Sequence, residues 1–294
     1  MEELLLIGGS NVDYIGTPKE KLNRSTSNIG EINISFGGVM RNICENLARL
    51  GNKLIFMSAI GSDVYGKMLK RELEDLGVKI ISPISNEATS SYLAINNHEN
   101  NLDIAICEAK IILEINKGFL AQYSSIIKEH QYIILDGNLE EEFIDALFLA
   151  YPDKKYIVDG ITPQKVLRFQ KHLKDIYLLK CNIYEAKALM NFDLSEKDLV
   201  NGLLVKGVKN VVLSHGSKDI YYGNNLNDIG RVKVNEIKDF VNTTGCGDAL
   251  LSGIVNQIIK GKSLKEAIEF GTKLSEVTLF SKAATSIEVE KFRN

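Results

Sequence analysis

Short, largely apolar runs recur along this chain at Leu4–Ile7, 54–60, 132–135, 156–158, 176–179 and 211–213. A strand with one wet face alternates apolar and polar residues, so unbroken runs of this length mark strands buried on both faces. Between them lie stretches with helical spacing, at 41–50 and 65–76, which stop at Gly51 and Gly77. Ser195-Glu196-Lys197-Asp198 and Ser263-Leu264-Lys265-Glu266 read as capping starts, and Gly261 is placed to close a helix begun near Asp248. Buried strands alternating with helices predict an α/β fold, a mostly parallel sheet covered on both faces. Ligands of such sheets lie outside the carboxyl ends of the strands. The residues with chemistry to offer fall there: Asn11, Asp13, Asp136, Asp159, Asn182, Ser214 and Asp248.

Two segments break the rhythm. Residues 13–37 lack a helical period and carry Ile29, Ile32, Ile34 and Phe36 among polar residues. Residues 90–106 behave alike, with a polar tip from Asn96 to Asn101. Both read as antiparallel hairpins that pair into a small sheet, a lid able to close over a ligand and exclude water. Decorative loops are the plainer reading, and the Gly37-Gly38 pair directly after the first hairpin favours the lid. With no repeat and no proline-rich linker, residues 1–294 are expected to form one domain with that lid.

Composition narrows the function. Net charge is −3, without a block of like charge, so nothing points to nucleic acid or a membrane surface. The acidic opening at Glu2-Glu3 lacks the basic start of a signal peptide, and no apolar run is long enough to span a bilayer. Cys44, Cys107, Cys181 and Cys246 stand singly, which fits a reducing cytoplasm and neither a disulfide framework nor a metal knuckle. His98, His130, His172 and His215 are scattered and are expected at the surface or in loops.

The densest chemistry lies in Asn242-Thr243-Thr244-Gly245-Cys246-Gly247-Asp248. Leu251, Ile254, Val255, Ile258 and Ile259 follow at helical spacing, so Asp248 belongs to a first helical turn. Glycines at 245 and 247 leave room for an anion at the backbone N–H groups, where the helix dipole is positive. A carboxylate there repels a resting phosphate. It makes sense as a base that takes a hydroxyl proton while the turn holds the charge of a phosphoryl group in transit. An ordinary loop with an acid at a helix start would give a bare Gly-x-Gly-Asp as well.

The longer string resembles the second signature of the ribokinase-like (PfkB-type) carbohydrate kinases, and the resemblance extends over essentially the whole chain. It rests further on Asn11-Val12-Asp13, on Gly37-Gly38 through Asn42, and on Asn182-Ile183-Tyr184-Glu185. The resemblance implies a three-layer α/β/α domain with a β-sheet lid, and ATP with Mg2+ as cofactors. It makes Asp248 the catalytic base and Gly245, Cys246 and Gly247 the anion hole. Asn11, Asp13, Gly37, Gly38 and Asn42 hold sugar hydroxyls, with Asp136 and Ser91 near the same pocket. Asn182, Ser214, Gly216 and Thr244 lie on the nucleotide side, and Glu185 helps place the metal, largely through water. Asn182 and Glu185 have the spacing of a capping box as well, and both roles are compatible.

Four departures from the family pattern stand out. Asp219 replaces a glycine of the nucleotide turn. Asn242 replaces an aspartate and Lys282-Ala283-Ala284 a Gly-Ala, which weakens the case for a monovalent cation. Cys246 replaces an alanine, with little consequence if the anion hole uses main-chain N–H groups.

Within the family the strings 27–32, 36–43, 58–66 and 89–93 are most similar to the branch acting on pseudouridine. That implies transfer of the γ-phosphoryl of ATP to a nucleoside 5′-hydroxyl, with homodimerisation through the lid. Asn28, Thr89, Ser90, Ser91 and Tyr92 are candidates to read the base. A kinase for ribose or another nucleoside shares every one of the catalytic residues, and a silent nucleotide-binding regulator on the same scaffold is the other class.

Overall fold

The computed structural model describes residues 2–99, 101–225 and 228–293. Asn100, in the polar tip predicted for the second hairpin, lies outside the described residues. The chain runs β1 (Leu4–Ile7), β2 (Asn11–Pro18), β3 (Gly30–Gly37), α1 (Val39–Arg49), β4 (Leu54–Met57), α2 (Val64–Asp75), β5 (Lys79–Ile81), β6 (Ser91–Asn96) and β7 (Leu102–Glu108). It continues through α3 (Lys117–Gln122), α4 (Ser124–Glu129), β8 (Tyr132–Asp136), α5 (Glu141–Ala150), β9 (Lys155–Asp159) and β10 (Ile176–Asn182). Then follow α6 (Ile183–Met190), α7 (Glu196–Val205), β11 (Val211–Ser214), β12 (Ile220–Asn225), β13 (Asp228–Val232), α8 (Cys246–Ile258) and α9 (Leu264–Thr278).

One sheet has the order β13-β12-β11-β10-β9-β8-β1-β4-β5. The seven strands from β11 to β5 are parallel, as the apolar runs predict, and β12 and β13 add an antiparallel edge. Alternate side chains of each central strand enter opposite cores. Leu5, Ile7, Ile133, Leu135, Tyr156 and Val158 pack on one side with α5, α6 and α7. Leu4, Leu6, Ile134 and Ile157 pack on the other with α1, α8 and α9. This is the three-layer arrangement. The edge strands β5 and β13 gave no apolar run in the sequence, because an edge strand buries less of itself. β12, paired between β11 and β13, alternates buried Ile220 and Tyr222 with half-buried Tyr221.

The chain leaves β1 towards β4 and β5 on one side and later returns through β8 on the other. The crevice beyond the carboxyl ends of β1 and β8 is therefore the topological switch point, where a ligand site is expected.

A second sheet has the order β3-β2-β6-β7. Its hairpins, β2–β3 and β6–β7, are antiparallel, and a parallel pairing of β2 with β6 joins them. The lid strands thus lie at 11–18, 30–37, 91–96 and 102–108, close to the predicted segments. Because β2 follows β1 after a three-residue turn, the lid stands directly over the switch point.

His130 lies in the loop between α4 and β8, within the expectation of surface or loop, yet it is not solvent-exposed. It is buried, with Nδ1 2.6 Å from the Ile126 carbonyl oxygen and Nε2 3.2 Å from Glu3. No helix among the described residues is long and apolar enough to cross a membrane.

Candidate active site

The turn that opens α8 is braced from both ends. Asn242 Oδ1 accepts from the Thr244 N–H at 2.9 Å, and the Asn242 N–H donates to the Leu279 carbonyl at 3.1 Å. Gly245 takes φ +82°, a left-handed conformation that favours glycine. A Cβ there would collide with the Ala284 carbonyl oxygen, and a Cβ on Gly247 would meet the Lys180 ammonium at 2.8 Å. Both glycines therefore make room for this chain's own atoms, beyond any room they leave an anion. The first N–H groups of a helix have no intrahelical acceptor and sit at its positive end.

Asp248 lies in that first turn and is 8% exposed. Its Oδ2 accepts from Asn42 Nδ2 at 2.8 Å, a contact spanning 206 positions of sequence. Burial pushes its carboxyl up to about 7, with Asp159 adding to the rise while Lys180 and Asn42 oppose it. Lys180 is buried beside it, with Nζ 2.9 Å from Asp159 Oδ2. Burial pulls against the ammonium, but Asp159, Asp248 and Glu185 outweigh that and hold it above the ordinary lysine value.

Glu185 closes a capping box with Asn182 at the start of α6, as its spacing predicts. Its Oε2 accepts the Asn182 N–H at 2.9 Å, its Oε1 accepts from Asn182 Nδ2, and burial pushes it up to about 7. A buried carboxylate already engaged on both oxygens fits an outer-sphere hold on hydrated magnesium better than direct ligation.

Asp13 receives a bond from Asn11 Nδ2, and burial pushes it up to about 6. Both residues stand at the base of β2, against Gly37 and Gly38. Gly38 has φ +99°, and a Cβ on it would strike the Gly9 carbonyl oxygen at 2.7 Å. Asp136 is spent on the fold. Its carboxylate accepts from the N–H groups of Gly9, Met40 and Asn138 and from Asn138 Nδ2, at 2.9–3.2 Å. It ties β1, α1 and β8 together beneath the pocket.

On the other flank of the α8 turn lies a cavity of ≈ 460 Å³, bordered by Ser214, Gly216, Phe240, Cys246, Gly247, Leu250 and Leu279. Apolar walls with a helix N-terminus at one end suit an aromatic base carrying phosphates. Asp219 keeps its place without glycine's freedom. It pairs with Arg231 at 3.3 Å and accepts from the Val234 N–H at 3.4 Å.

The structure thus gathers Asn42, Gly245, Cys246, Gly247 and Asp248 at one point, with Ser214 and Gly216 on the cavity and Asn11, Asp13, Gly37 and Gly38 under the lid. Thr244 is exposed at the edge of the turn. Strand register pairs Ser91 with Val12 and Tyr92 with Asp13, so Tyr92 shares Asp13's face of the lid and Ser91 the opposite one. Of the other base-reading candidates, Asn28 is engaged inside its own loop with Asn23 and Thr26. The Thr89 hydroxyl donates to Asp63 at 2.7 Å. Lys180 went unmarked in the sequence. The signal was there, a lone lysine near the carboxyl end of an otherwise apolar strand.

The family model for pfkB family carbohydrate kinases matches residues 1–291. The chain is 32% identical to the pseudouridine kinase of Escherichia coli K12 over 285 residues, covering 94% of this chain and 90% of that protein. It superposes on a carbohydrate kinase from Agrobacterium tumefaciens with a TM-score of 0.85, at 27% identity, over 100% of this chain and 97% of that one. A ribokinase from Thermotoga maritima gives 0.83 at 22% identity, over 99% of both chains, and so speaks to the fold.

Asp248 allows a test by stability. Its value in the folded chain lies above the 3.8 of an ordinary aspartate, so folding favours its protonated form. That contribution is complete below about pH 4 and is lost as pH rises through about 7. Asp248→Asn is therefore expected to be more stable than the wild type at pH 8, by on the order of a few kcal/mol. The gain should fade towards pH 4. Urea unfolding at both pH values checks this, and a variant less stable at pH 8 contradicts it.

Proposed function

The chain belongs to the pfkB family of carbohydrate kinases and is a sugar or nucleoside kinase on a ribokinase-like fold, and from that premise we propose that it phosphorylates the 5′-hydroxyl of pseudouridine. The observation that carries the chemistry is the 2.8 Å bond from Asn42 to Asp248, which joins the lid-proximal helix to the head of α8. The acceptor rests on the similarity to the pseudouridine kinase of E. coli.

In this reading Asn11, Asp13, Gly38 and Asn42 seat the ribose with its 5′-oxygen towards Asp248. A carboxylate and an amide suit a vicinal diol, since each offers directional bonds to adjacent hydroxyls. Asp248 takes the hydroxyl proton as the oxygen attacks the γ-phosphorus of ATP. Its raised proton affinity suits a base working near neutrality. The N–H groups at 245–247 and the Lys180 ammonium hold the charge of the phosphoryl group in transit. Asn182 and Glu185 would hold magnesium through water, and the cavity beside Ser214, Gly216 and Phe240 would take the nucleotide base.

Pseudouridine carries a ring N–H that uridine lacks, and a pocket that pairs it rejects uridine by leaving an acceptor unpaired. Tyr92, on Asp13's face of the lid, is the best placed of the lid candidates.

The lid also bears on assembly. Ile32, Ile34, Leu93, Ile104 and Ile106 share one face by register and are all exposed. An apolar face of that extent on a thin sheet suits burial against its copy in a homodimer.

Kinetics, calorimetry and sedimentation test these readings. Among pseudouridine, uridine, adenosine and ribose, with ATP and magnesium, pseudouridine should give the highest kcat/KM, and a preference for ribose overturns the acceptor. In the same assay Asp248→Asn should lose about 10²- to 10⁴-fold in kcat, while calorimetry finds nucleoside binding largely kept. Wild-type kcat/KM should fall as pH drops below about 7, where Asp248 gains its proton. For assembly, Ile104→Arg should shift the protein from dimer to monomer in sedimentation velocity, and a wild type that sediments as a monomer refutes the lid interface.

A further inference from the structure

Helix α1 presents two rows of side chains. Asn42 faces α8 and reaches Asp248. Arg41, Glu45 and Arg49, one turn apart, form the other row; Glu45 and Arg49 reach the C-terminal segment at Thr285 and Glu290, while Arg41 reaches Glu72 and the Phe36 carbonyl. Glu45 is 5% exposed and fully engaged. Its Oε2 pairs with Arg41 Nη1 at 2.7 Å and accepts from the Thr285 hydroxyl at 2.9 Å. Its Oε1 receives Arg49 through Nε at 2.8 Å and Nη2 at 2.7 Å. A buried carboxylate held by two guanidiniums is a stiff anchor, and the Thr285 hydroxyl is a neutral group bound to it.

Thr285 belongs to the loop that lies against the α8 turn. Within it the Ser281 hydroxyl donates to the Thr285 carbonyl at 2.6 Å, and the Ala283 N–H donates to Ser281 Oγ at 3.1 Å. The Ala284 carbonyl oxygen fills the space where Gly245 would carry a Cβ. Gly245 is the left-handed residue that aims the peptides of Cys246 and Gly247. On its far side the loop borders a cavity of ≈ 590 Å³ that also touches Arg41, Glu45 and Tyr65. Thr285 and Ser286 are themselves buried, and the Thr285 hydroxyl ties the loop to Glu45 of α1.

We propose that Glu45, acting through Thr285 and the 281–286 loop, is a positioning residue for the anion hole at the head of α8. One helix then sets both halves of the site, the base through Asn42 and the anion hole through Glu45. The kinetic consequence rests on the kinase reading above, whereas the positioning itself does not.

Thr285→Val keeps the shape and removes the hydroxyl, and it leaves Glu45 paired with both arginines. Thr285→Ser restores the hydroxyl. The valine variant should lose about tenfold to a hundredfold in kcat with pseudouridine, the scale of an ångström-sized misplacement. Its pseudouridine affinity by calorimetry should stay within about twofold, because the sugar seat is untouched. Amide hydrogen exchange at 244–248 should quicken in the valine variant and match the wild type in the serine variant. Wild-type kcat in Thr285→Val overturns the proposal, and so does a matched loss of kcat and nucleoside binding, which marks general damage. If the wild type phosphorylates none of the acceptors, the kinase reading fails and the exchange measurement alone decides. Unchanged exchange at 244–248 then overturns the positioning.

Discussion

Burying a carboxylate is costly unless something holds its charge, and this molecule buries four of them around the carboxyl ends of its central strands. Each is compensated differently. Asp136 is surrounded by N–H donors, Asp159 is paired with Lys180, and Glu185 is folded into its own helix cap. Asp248 has one amide bond from Asn42, a repelling Asp159 nearby, and a share of the lysine's field. It is the least compensated of the three that meet at the α8 turn. A group that must take up a proton at neutral pH has to be left so, since a fully satisfied carboxylate is a poor base. The supporting acids can be read as the frame that lets one of them stay reactive.

That frame is assembled from distant parts of the chain by a few close approaches. The Gly38 backbone passes so near Gly9 that no side chain would fit, which locks the lid hinge onto the turn after β1. Gly245 admits the Ala284 carbonyl, and Gly247 admits the Lys180 ammonium. The expectation from sequence was that glycines at 245 and 247 clear a path for a ligand. Here they first clear a path for the protein, and the resulting fit fixes where the helix N–H groups point. Preorganised donors of this kind cost no reorganisation during reaction.

The strand frame was legible because doubly buried strands have nowhere to hide polar residues. β1, β8, β9, β10 and β11 all announce themselves as apolar runs. β5 and β13 do not, because edge strands are only partly covered, and β12 beside β13 alternates buried and half-buried residues. The head of α8 was legible too, since two glycines and an acid directly before a helical period leave few geometries open. The Arg41–Glu45–Arg49 row was not. Charges at that spacing usually mark a solvated helix face, and only the C-terminal segment folding over them makes them a buried network. The Lys180–Asp159 pair escaped for a related reason, although Asp159 by itself stood out at its strand end. Their pairing depends on the β9–β10 register, which sets Lys180 beside Asp159 and no local pattern encodes.

The lid is four strands thick in one direction and one layer in the other. A single sheet has two faces and no core of its own, so each face must find something to do. One carries Asn11, Asp13 and Tyr92, the polar groups that the proposed function gives to the substrate. The other carries Ile32, Ile34, Leu93, Ile104 and Ile106, which water disfavours. β2 joins both faces to the turn after β1, and Arg41 grips the end of β3 through the Phe36 carbonyl at 3.2 Å. Whatever covers the apolar face therefore stiffens the strands that carry Asn11, Asp13 and Tyr92. Both faces answer to one element, and the same guanidinium that steadies that element also braces Glu45.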